Sequence, residues 1–329
     1  MTKAKSITWF TPPVGDSVGY GYAAISVIKA LQDRHVAVWH KNNNTRTFVS
    51  FVQPDWYEGT GDQYRVGYTP WESDTIPEHW IEKMQAMDEI WTPSNYCKQV
   101  FEKYNVNSKI EVVPHGIDPE IWKIENRYET GKFIFLHVGG PTARKGGQRV
   151  VNAFLELFDG NPQTGLILKV NDETEARVTV NGEYGNAGNH PQIIVLRDKL
   201  TTDGMAELYS KASCLVYPTN GEGFGLIPFQ GIATGLPTIC TNATACKDFA
   251  EMSIPLDSKE VDGVGIHLGK WVEPSYDDLL TKMQYVYDNY SECIEKTINS
   301  ARVIHSTQTW GHVADQVINI LGDNIYSNI

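Results

Sequence analysis

The amino-acid sequence predicts an α/β protein built from two doubly wound domains. Short apolar runs of strand length alternate with stretches of helical periodicity through most of the 329 residues, which is typical of parallel sheets covered by helices. A polar stretch at 125–132 separates two such series, and the chain length also favours two domains. Apolar residues make up 41% and charged residues 21% of the chain. These proportions exclude a coiled coil, a collagen-like repeat and a disordered chain.

The first series of elements occupies the chain before the polar stretch. Its strands are predicted at the short apolar runs 7–11, 36–40, 64–68, 89–92 and 110–113. Helical periodicity between these runs predicts helices at 21–31, 80–87 and 94–104. Strands and helices therefore alternate, as a parallel sheet requires.

The second series restarts with a strand at 133–138. A helix follows, because Val150, Val151, Phe154, Leu155 and Phe158 fall on one helical face. Further strands are predicted at 165–170, 193–196, 214–217 and 237–240. The polar, Gly- and Asn-rich segment 173–190 is expected to be a loop or hairpin, and a last helix at 311–321 could pack on either half.

Charge and cysteine content limit the function classes. Lys and Arg number 28 against 40 Asp and Glu, so the net charge is −12, which removes the electrostatic default for nucleic-acid binding. The five cysteines are scattered without a CxxC pair, so neither a disulfide framework nor a zinc knuckle is indicated. No 18-residue apolar run or signal-peptide core occurs. We expect a cytoplasmic protein without a transmembrane segment.

The first glycine-rich run opens the first predicted helix with Gly19, Tyr20 and Gly21. It fits G-x-G-x-x-G/A, a pattern in which backbone N–H groups approach a phosphate. A dinucleotide site also needs an acid at the end of the second strand, and residues 39–42 are Trp-His-Lys-Asn. NAD or FAD binding, and with it an oxidoreductase, is therefore disfavoured. A tight turn without a ligand is the alternative.

The second glycine-rich run, GGPTARKGG at 139–147, has the equivalent place in the second domain. Gly139 and Gly140 allow close backbone approach, and Arg144 and Lys145 supply positive charge for a diphosphate. The run is not a P-loop, because Gly146 follows the lysine where Ser or Thr would be needed. The alternative is an unliganded basic turn, and in either case we expect the turn to be solvated.

The third glycine-rich run, NGEGFGL at 220–226, follows the strand at 214–217. Its carboxylate, Glu222, stands at the carboxyl end of a parallel strand, where α/β sheets place ligand contacts. An acid there can accept hydrogen bonds from sugar hydroxyls. A plain turn is the alternative, but it would not need three glycines in five residues.

Two further groups of candidates end strands of the first domain. Trp71, Glu72 and Asp74 offer an aromatic ring and two carboxylates after the strand at 64–68, and a helix-capping turn is the alternative. His115 follows the strand at 110–113, in a turn that connects the domains. A lone histidine there is equally well explained by a structural role.

Five segments in order resemble the retaining GT-B glycosyltransferases of family 4. They are TPSN at 92–95, VPHGID at 113–118, RKG at 144–146, GEGFGL at 221–226 and GIATGLP at 231–237. The resemblance covers nearly the whole chain and is weakest over 41–60 and 172–192. At this length the chain is similar to compact glycosyltransferases of tailed bacteriophages.

The resemblance implies two Rossmann-like domains that face each other across a cleft. Residues 1–128 would form the acceptor-side domain and 129–308 the nucleotide-sugar-binding domain, and a terminal helix within 309–329 would cross back to the first. The resemblance also implies catalytic roles for Glu222, Arg144 and Lys145, with Glu72 as a further candidate. The implied donor-binding residues are Gly19, Tyr20, Gly21, Gly139, Gly140, Arg144, Lys145, Glu222, Gly223, Phe224, Gly225, Leu226 and Gln230.

Three positions depart from the family pattern. The second acid of the E-x7-E motif, which usually contacts the ribose, is the amide Gln230. Gly140 stands where a phosphate-binding arginine often follows the first glycine, and Arg144 could replace it. Trp71 and Glu72 occupy the strand end where the family often places a histidine near the donor sugar.

The function that follows from the resemblance is sugar transfer from a UDP- or GDP-sugar with retention of configuration. No DxD stands at a strand end near the glycine-rich loops, so metal-independent catalysis is expected, as in the family that the chain resembles. The nucleotide sugar is the donor substrate, and no cofactor is expected. The resemblance implies front-face attack assisted by the leaving phosphate, although Glu72 or Asp74 could instead orient the acceptor or act as base. The acceptor is left open between a saccharide, a small molecule, a protein and, for a phage-type enzyme, a hydroxymethylated DNA base. A nucleotide-sugar epimerase or hydrolase, or a degenerate nucleotide-sugar-binding module, are the alternatives.

Overall fold

The computed structural model describes residues 4–11, 19–40, 44–107, 109–127, 131–139, 143–170, 179–180, 183–184 and 189–326. The chain divides into two compact units. Unit 1 comprises Met1–Asp118, Val264–Gly269 and Ser306–Ile329, and unit 2 comprises Pro119–Gly263 and Lys270–His305.

Strands and helices alternate along most of the chain. The strands are β1 (Lys5–Phe10), β2 (Val36–Trp39), β3 (Thr47–Phe51), β4 (Tyr64–Tyr68), β5 (Glu89–Thr92), β6 (Ile110–Val112), β7 (Phe133–Val138), β8 (Thr164–Lys169), β9 (Thr179–Val180), β10 (Glu183–Tyr184), β11 (Ile193–Leu196), β12 (Cys214–Tyr217), β13 (Thr238–Thr241), β14 (Ile254–Leu256), β15 (Ser258–Asp262) and β16 (Lys270–Pro274). The helices are α1 (Gly19–Gln32), α2 (Glu78–Gln85), α3 (Asn95–Lys103), α4 (Gly147–Phe158), α5 (Thr202–Lys211), α6 (Leu226–Ala233), α7 (Tyr276–Asp288), α8 (Tyr290–Thr307) and α9 (Trp310–Leu321).

Each unit is organised around a parallel sheet of six strands. The order is β2-β1-β3-β4-β5-β6 in unit 1 and β11-β8-β7-β12-β13-β14 in unit 2, and every pairing in these two sheets is parallel. The second order is the doubly wound one, with its switch point between β7 and β12. Loops that leave the carboxyl ends of these two strands therefore frame the expected place for a ligand in unit 2.

Burial explains why short apolar runs are good predictors of these strands. All residues of β5, β12 and β13 are buried, as expected for strands covered on both faces. The apolar face of α4 packs into the core of unit 2, where Val150, Phe154 and Phe158 are at most 2% exposed. The five cysteines are buried thiols. Within the described part of the chain, no helix has both the length and the apolar character that a membrane crossing needs.

The unit boundary differs from the predicted linker at 125–132. The division lies at Asp118, because the residues that follow it pack into unit 2. Trp122 is buried, with its ring centroid 5.3 Å from that of Tyr209. Arg127 donates to the carbonyl oxygens of Tyr209 and Ala212 at 3.0 and 2.6 Å. Arg127 therefore caps buried carbonyl groups of unit 2, and residues 128–130 of the predicted linker lie outside the described residues.

The helix α9 lies within unit 1, where it packs against α1 and follows a bridge to the end of the first chain segment of the unit. Ile117 and Thr309 form a parallel bridge, and Thr309 caps α9 by accepting a hydrogen bond from the backbone N–H of His312. Asp315 on α9 pairs with Arg34, which follows α1. The predicted helix at 311–321 is thus part of unit 1.

Several elements were missed in the sequence. Strand β3 is fully buried but lies in the segment where the resemblance is weakest. The antiparallel pair β15–β16 in unit 2 was also not predicted. In the segment 173–190, the described residues β9 and β10 pair as an antiparallel hairpin.

Candidate functional site

The loops that follow β7 and β12 carry the charged residues of unit 2. After β7, Gly139 has φ +145°, a 3-10 turn spans Ala143–Lys145, and Gly146 with φ +76° is the N-cap of α4. A Cβ atom on Gly146 would lie 2.3 Å from the carbonyl oxygen of Pro218. Glycine at 146 therefore lets the basic turn lie directly against the loop after β12.

Arg144, Lys145 and Glu222 are in direct contact. The Lys145 Nζ atom lies 2.7 Å and the Arg144 Nη1 atom 3.1 Å from Glu222 Oε1. Arg144 also donates to the carbonyl oxygen of Gly221 at 2.6 Å. The two cationic side chains are only 19% and 17% exposed. The expectation of a solvated basic turn is therefore wrong, because a buried carboxylate holds both cations against the protein.

Two hydroxyl groups complete the surroundings of this carboxylate. The hydroxyl of Tyr217, the last residue of β12, accepts from Lys145 Nζ at 2.6 Å and donates to Glu222 Oε1 at 2.8 Å. The Thr219 hydroxyl lies 3.1 Å from the same carboxylate oxygen. We refer to Arg144, Lys145, Tyr217, Thr219 and Glu222 as the anion-binding cluster.

The charge of Glu222 is stabilised by its neighbours. Burial raises the pKa of this carboxyl group, but the charges of Lys145 and Arg144 outweigh burial and lower the pKa to about 2. Burial, and next the charge of Glu222, raise the pKa of Tyr217 well above its ordinary value. At neutral pH the cluster therefore contains two cations, one carboxylate and a protonated phenol.

A strained backbone position holds the main chain of Glu222. Its N–H donates to Thr244 Oγ1 at 3.1 Å, and its carbonyl oxygen accepts from the N–H of Ala245 at 3.2 Å. Thr244 has φ +50°, a left-handed conformation that is costly for a β-branched residue. Such strain is concentrated at functional sites, where the surrounding structure enforces it.

The rest of the glycine-rich loop leads into α6. Gly225 has φ +95° and is the N-cap of this helix, and a Cβ atom there would lie 2.8 Å from Cys246 Sγ. Gly223, Phe224 and Leu226 belong to the same run, and the Phe224 ring packs edge-on to Phe229. Gln230 lies one turn into α6 and is 8% exposed. Its side-chain amide has no hydrogen bond to any residue that the structure describes.

A third cation flanks the cluster from α4. Arg149 donates to Asn220 Oδ1 at 2.8 Å and lies 3.8 Å from Glu273 Oε1. The carbonyl oxygen of Asn220 accepts from the N–H of Val272 on β16 at 2.9 Å. The loop after β12 is thus fixed on both sides before it reaches Glu222.

Unit 1 contains the remaining sequence candidates. Tyr20, at the start of α1 between Gly19 and Gly21, is hydrogen-bonded to Thr69 at 3.0 Å between the two side-chain oxygens. His115 is 5% exposed, and its Nδ1 lies 3.3 Å from the Tyr68 hydroxyl. Burial lowers the pKa of His115 to about 3. A neutral, buried histidine fits the structural role better than that of a proton donor.

The candidates after β4 differ in burial and in hydrogen-bond partners; they are Trp71, Glu72 and Asp74. Trp71 is 2% exposed and donates from its indole to the carbonyl oxygen of Thr75, so its ring belongs to the core and offers no open stacking surface. Asp74 accepts from the Thr75 hydroxyl at 2.9 Å, but α2 has Pro77 as its N-cap and no side-chain cap hydrogen bond, so Asp74 does not cap this helix. The Glu72 carboxylate is 24% exposed and lies 3.9 Å from His267 Nδ1.

The structure thus brings together the Arg144, Lys145 and Glu222 candidates. Gly140 lies outside the described residues. Tyr217, Thr219 and Thr244 were missed, and only the first two had a sequence signal, as polar residues at the end of the apolar strand 214–217. Across the residues that the structure describes, no three His, Cys, Asp or Glu side chains group as metal ligands.

Comparison with known proteins identifies a family. Residues 96–317 match the model of a family described as family 4 glycosyltransferase in conflict systems. A provisionally named glycosyltransferase 45 of Sulfolobus islandicus filamentous virus is 22% identical over 220 residues, which cover 63% of this chain and 58% of the viral protein. The chain spans about half the length of the curated relatives it matches.

Solved structures share the fold. A glycosyltransferase from Rickettsia africae superposes with a TM-score of 0.73 at 13% identity, over 99% of both chains. HepE from Anabaena in complex with UDP-glucose superposes with a TM-score of 0.70 at 10% identity, over 97% of this chain and 100% of HepE. The predicted GT-B fold, with two Rossmann-like sheets, is confirmed.

Proposed function

This chain belongs to the family 4 glycosyltransferases in conflict systems, and we propose that it transfers a sugar from a nucleoside diphosphate sugar to an acceptor hydroxyl. The observation that carries the proposal is the anion-binding cluster at the switch point of the unit 2 sheet. The alternation of strands and helices alone would fit many reactions. Two cations and a carboxylate at this place fit a charged sugar donor.

The diphosphate of the donor is assigned to Arg144 and Lys145. Both precede α4, a helix of 12 residues, whose N-terminal N–H groups favour an anion. Departure of the diphosphate develops negative charge, and cations in a largely buried site stabilise that charge well. In this scheme the two side chains supply the charge neutralisation and the reaction proceeds without a metal. HepE binds UDP-glucose, which makes UDP-sugars the first donors to test and GDP-sugars the second.

Glu222 and Gln230 are assigned to the sugar-nucleoside part of the donor. Glu222 offers a carboxylate to the hydroxyls of the transferred sugar. Gln230, which is 8% exposed, offers its side-chain amide to the ribose, and the lack of a hydrogen bond between that amide and any described residue supports the assignment. An amide contact is weaker than that of a carboxylate.

The stereochemistry and the acceptor follow from the family resemblance. We propose retention of configuration, with the leaving phosphate taking the proton of the acceptor hydroxyl. Unit 1 is assigned to the acceptor, with Glu72 or Asp74 as groups that orient it. The acceptor is a saccharide hydroxyl or, as in phage-type enzymes, a hydroxymethylated base.

A donor screen tests the proposed function. UDP- and GDP-sugars should raise the melting temperature, and EDTA should not change the shift. Mass spectrometry with the best donor should show one added sugar on an acceptor. A shift lost with EDTA and restored by manganese would contradict the metal-free scheme. Donor turnover without any acceptor would indicate an epimerase or hydrolase, and binding without turnover would indicate a degenerate binding module.

A further inference from the structure

Glu222 already occupies the place of an anion beside the two cations. Its Oε1 atom alone accepts from Lys145, Tyr217, Arg144 and Thr219, at 2.7, 2.8, 3.1 and 3.1 Å. A diphosphate that binds Arg144 and Lys145 must therefore compete with this carboxylate. Once it does, Glu222 needs other donors, because a buried carboxylate without partners is strongly destabilising.

We propose that Tyr217 is a positioning residue whose hydroxyl stays on Glu222 while the ammonium group of Lys145 turns to the donor diphosphate. The inference rests on the proposed function and deepens it, since it names the residue that allows one lysine to serve two anions in turn. Tyr217 needs no contact with the donor for this role.

The hydrogen bonds of the cluster single out Tyr217 among the uncharged donors. The Thr219 hydroxyl has one proton and three acceptors within 3.2 Å, namely Glu222 Oε1 and the carbonyl oxygens of Arg144 and Gly221. The Tyr217 hydroxyl has Glu222 as its acceptor among the described residues. The Tyr217 hydroxyl therefore donates its proton to the Glu222 carboxylate and to no other described acceptor.

The Tyr217 ring cannot easily move away. It is completely buried at the end of β12, and it stacks on His137 of the adjacent strand β7, with ring centroids 6.1 Å apart. The Lys145 Nζ atom, in contrast, ends a flexible side chain that is 17% exposed. A fixed phenol and a mobile ammonium group suit an exchange in which only the lysine changes partner.

The exchange has a consequence for protons. Without the Tyr217 hydroxyl, the Glu222 carboxylate would face a diphosphate with one donor fewer, so its pKa should rise and binding should draw a proton onto it. The titratable or charged groups around Glu222 and its partners are Arg144, Lys145, Tyr217, Cys246, Cys240 and His137. The Cys246 thiol is protonated because its hydrogen bond with Cys240, and next its burial, raise its pKa well above the ordinary value. Burial keeps His137 neutral by lowering its pKa to about 4. Glu222 is thus the group that would take up the proton.

Calorimetric titration with inorganic pyrophosphate tests the inference without knowledge of the base or sugar. Tyr217→Phe should bind pyrophosphate about tenfold more weakly than the wild type at about pH 8, the scale of one hydrogen bond to a charged group. The difference in pyrophosphate affinity between Tyr217→Phe and the wild type should shrink as the pH falls. Titrations in two buffers of different ionisation enthalpy should show that the variant takes up an extra proton on binding. Tyr209→Phe is the matched control, because its hydroxyl is also buried but donates to the carbonyl oxygen of Ile227; it should bind like the wild type.

A double-mutant cycle separates positioning from a general structural effect. In a Glu222→Gln background, Tyr217→Phe should change pyrophosphate affinity by less than about twofold, because the group on which Tyr217 acts is no longer charged. An equal loss in both backgrounds, or no loss in either, would overturn the inference. A second measurement leaves Tyr217 intact: wild type and Glu222→Gln should take up the same number of protons on binding, and an extra proton in the wild type would also overturn it. Absence of pyrophosphate binding to the wild type would overturn the diphosphate assignment itself, and the inference with it.

Discussion

At the residue scale, Glu222 behaves as the internal counter-ion of the basic turn. Lys145 is the first of the charged neighbours that lower the pKa of Glu222 to about 2 against the effect of burial. The carboxylate therefore contributes to stability above the ordinary pKa of a carboxyl group, and this contribution is lost only as the pH falls towards 2. The ion pair between Lys145 and Glu222, two residues assigned to donor binding, therefore also stabilises unit 2.

Replacement of Lys145 by alanine should lower stability as well as donor affinity. Breaking a buried ion pair costs about 3–5 kcal/mol, but three donors to Glu222 remain, so we expect a loss of about 1–3 kcal/mol in the free energy of unfolding. Urea denaturation measures it. A second change, Glu222→Gln, should recover much of the loss, because no unpaired charge is then left in the core. Lys211→Ala, which removes an exposed pair with Glu207, is the control and should leave the unfolding midpoint unchanged.

The sequence predicted the charged residues of this site but not its hydroxyl groups. Arg144, Lys145 and Glu222 stand in glycine-rich runs after strands, so local pattern and the order of a parallel sheet are enough to bring them together. Thr244 is 22 residues beyond Glu222, and its hydrogen bond to the Glu222 N–H depends on how the chain returns after β13. No local sequence pattern predicts that Thr244 comes into contact with Glu222.

At the element scale, the approach of α4 to the loop after β12 depends on one glycine. Gly146→Ala would place a Cβ atom 2.3 Å from the Pro218 carbonyl oxygen, in a backbone conformation with φ +76°. We expect a loss of about 1–3 kcal/mol in unfolding free energy and weaker pyrophosphate binding, because the basic turn must move away from Glu222. Denaturation and calorimetric titration measure the two effects.

Gly160, just after α4, provides the matched control. It has φ +77°, and a Cβ atom added to it would meet no heavy atom of the described residues within 4 Å. Gly160→Ala should therefore cost only the strain of the left-handed conformation, about 1–2 kcal/mol, and leave pyrophosphate affinity unchanged. Equal effects of the two variants on affinity would contradict the role assigned to Gly146.

The elements themselves were predictable where burial on both faces produces a continuous apolar run, as in β5 and β12. The pair β15–β16 was not, because its residues are mostly half-buried or exposed and follow no apolar pattern. The polar segment after Asp118 was predicted to be a linker because of its composition, but its residues belong to unit 2. Arg127 is charged but only 8% exposed, since it caps carbonyl groups of unit 2, and composition alone cannot distinguish such a residue from one in a linker.

At the scale of the whole molecule, each unit contains a buried neutral histidine. Burial lowers the pKa of His115 in unit 1 to about 3 and that of His137 in unit 2 to about 4, from an ordinary value of 6.5. Below pH 6.5 the unfolded chain binds a proton that the folded unit does not, so stability falls as the pH falls, until the folded pKa is reached.

Acid should therefore destabilise both units. Each histidine should contribute a decrease of about 1.4 kcal/mol in unfolding free energy per pH unit below 6.5. Urea denaturation between about pH 7 and pH 5 checks this slope. His137→Gln should flatten the profile of unit 2 and His115→Gln that of unit 1. Profiles unchanged by either variant would show that these side chains are protonated in the folded protein.

We propose that the anion-binding cluster of unit 2 binds a donor diphosphate and acts on its sugar, and the Glu222→Gln variant separates these two roles in one experiment. The measurement compares nucleoside diphosphate affinity with the rate of sugar transfer, using the donor and acceptor from the screen, for the wild type, Glu222→Gln and the surface control Glu207→Gln. We expect Glu222→Gln to bind the nucleoside diphosphate at least as tightly as the wild type, because a competing anion is gone, and to transfer the sugar at least about tenfold more slowly. Weaker diphosphate binding with an unchanged rate of transfer at saturating donor would contradict it.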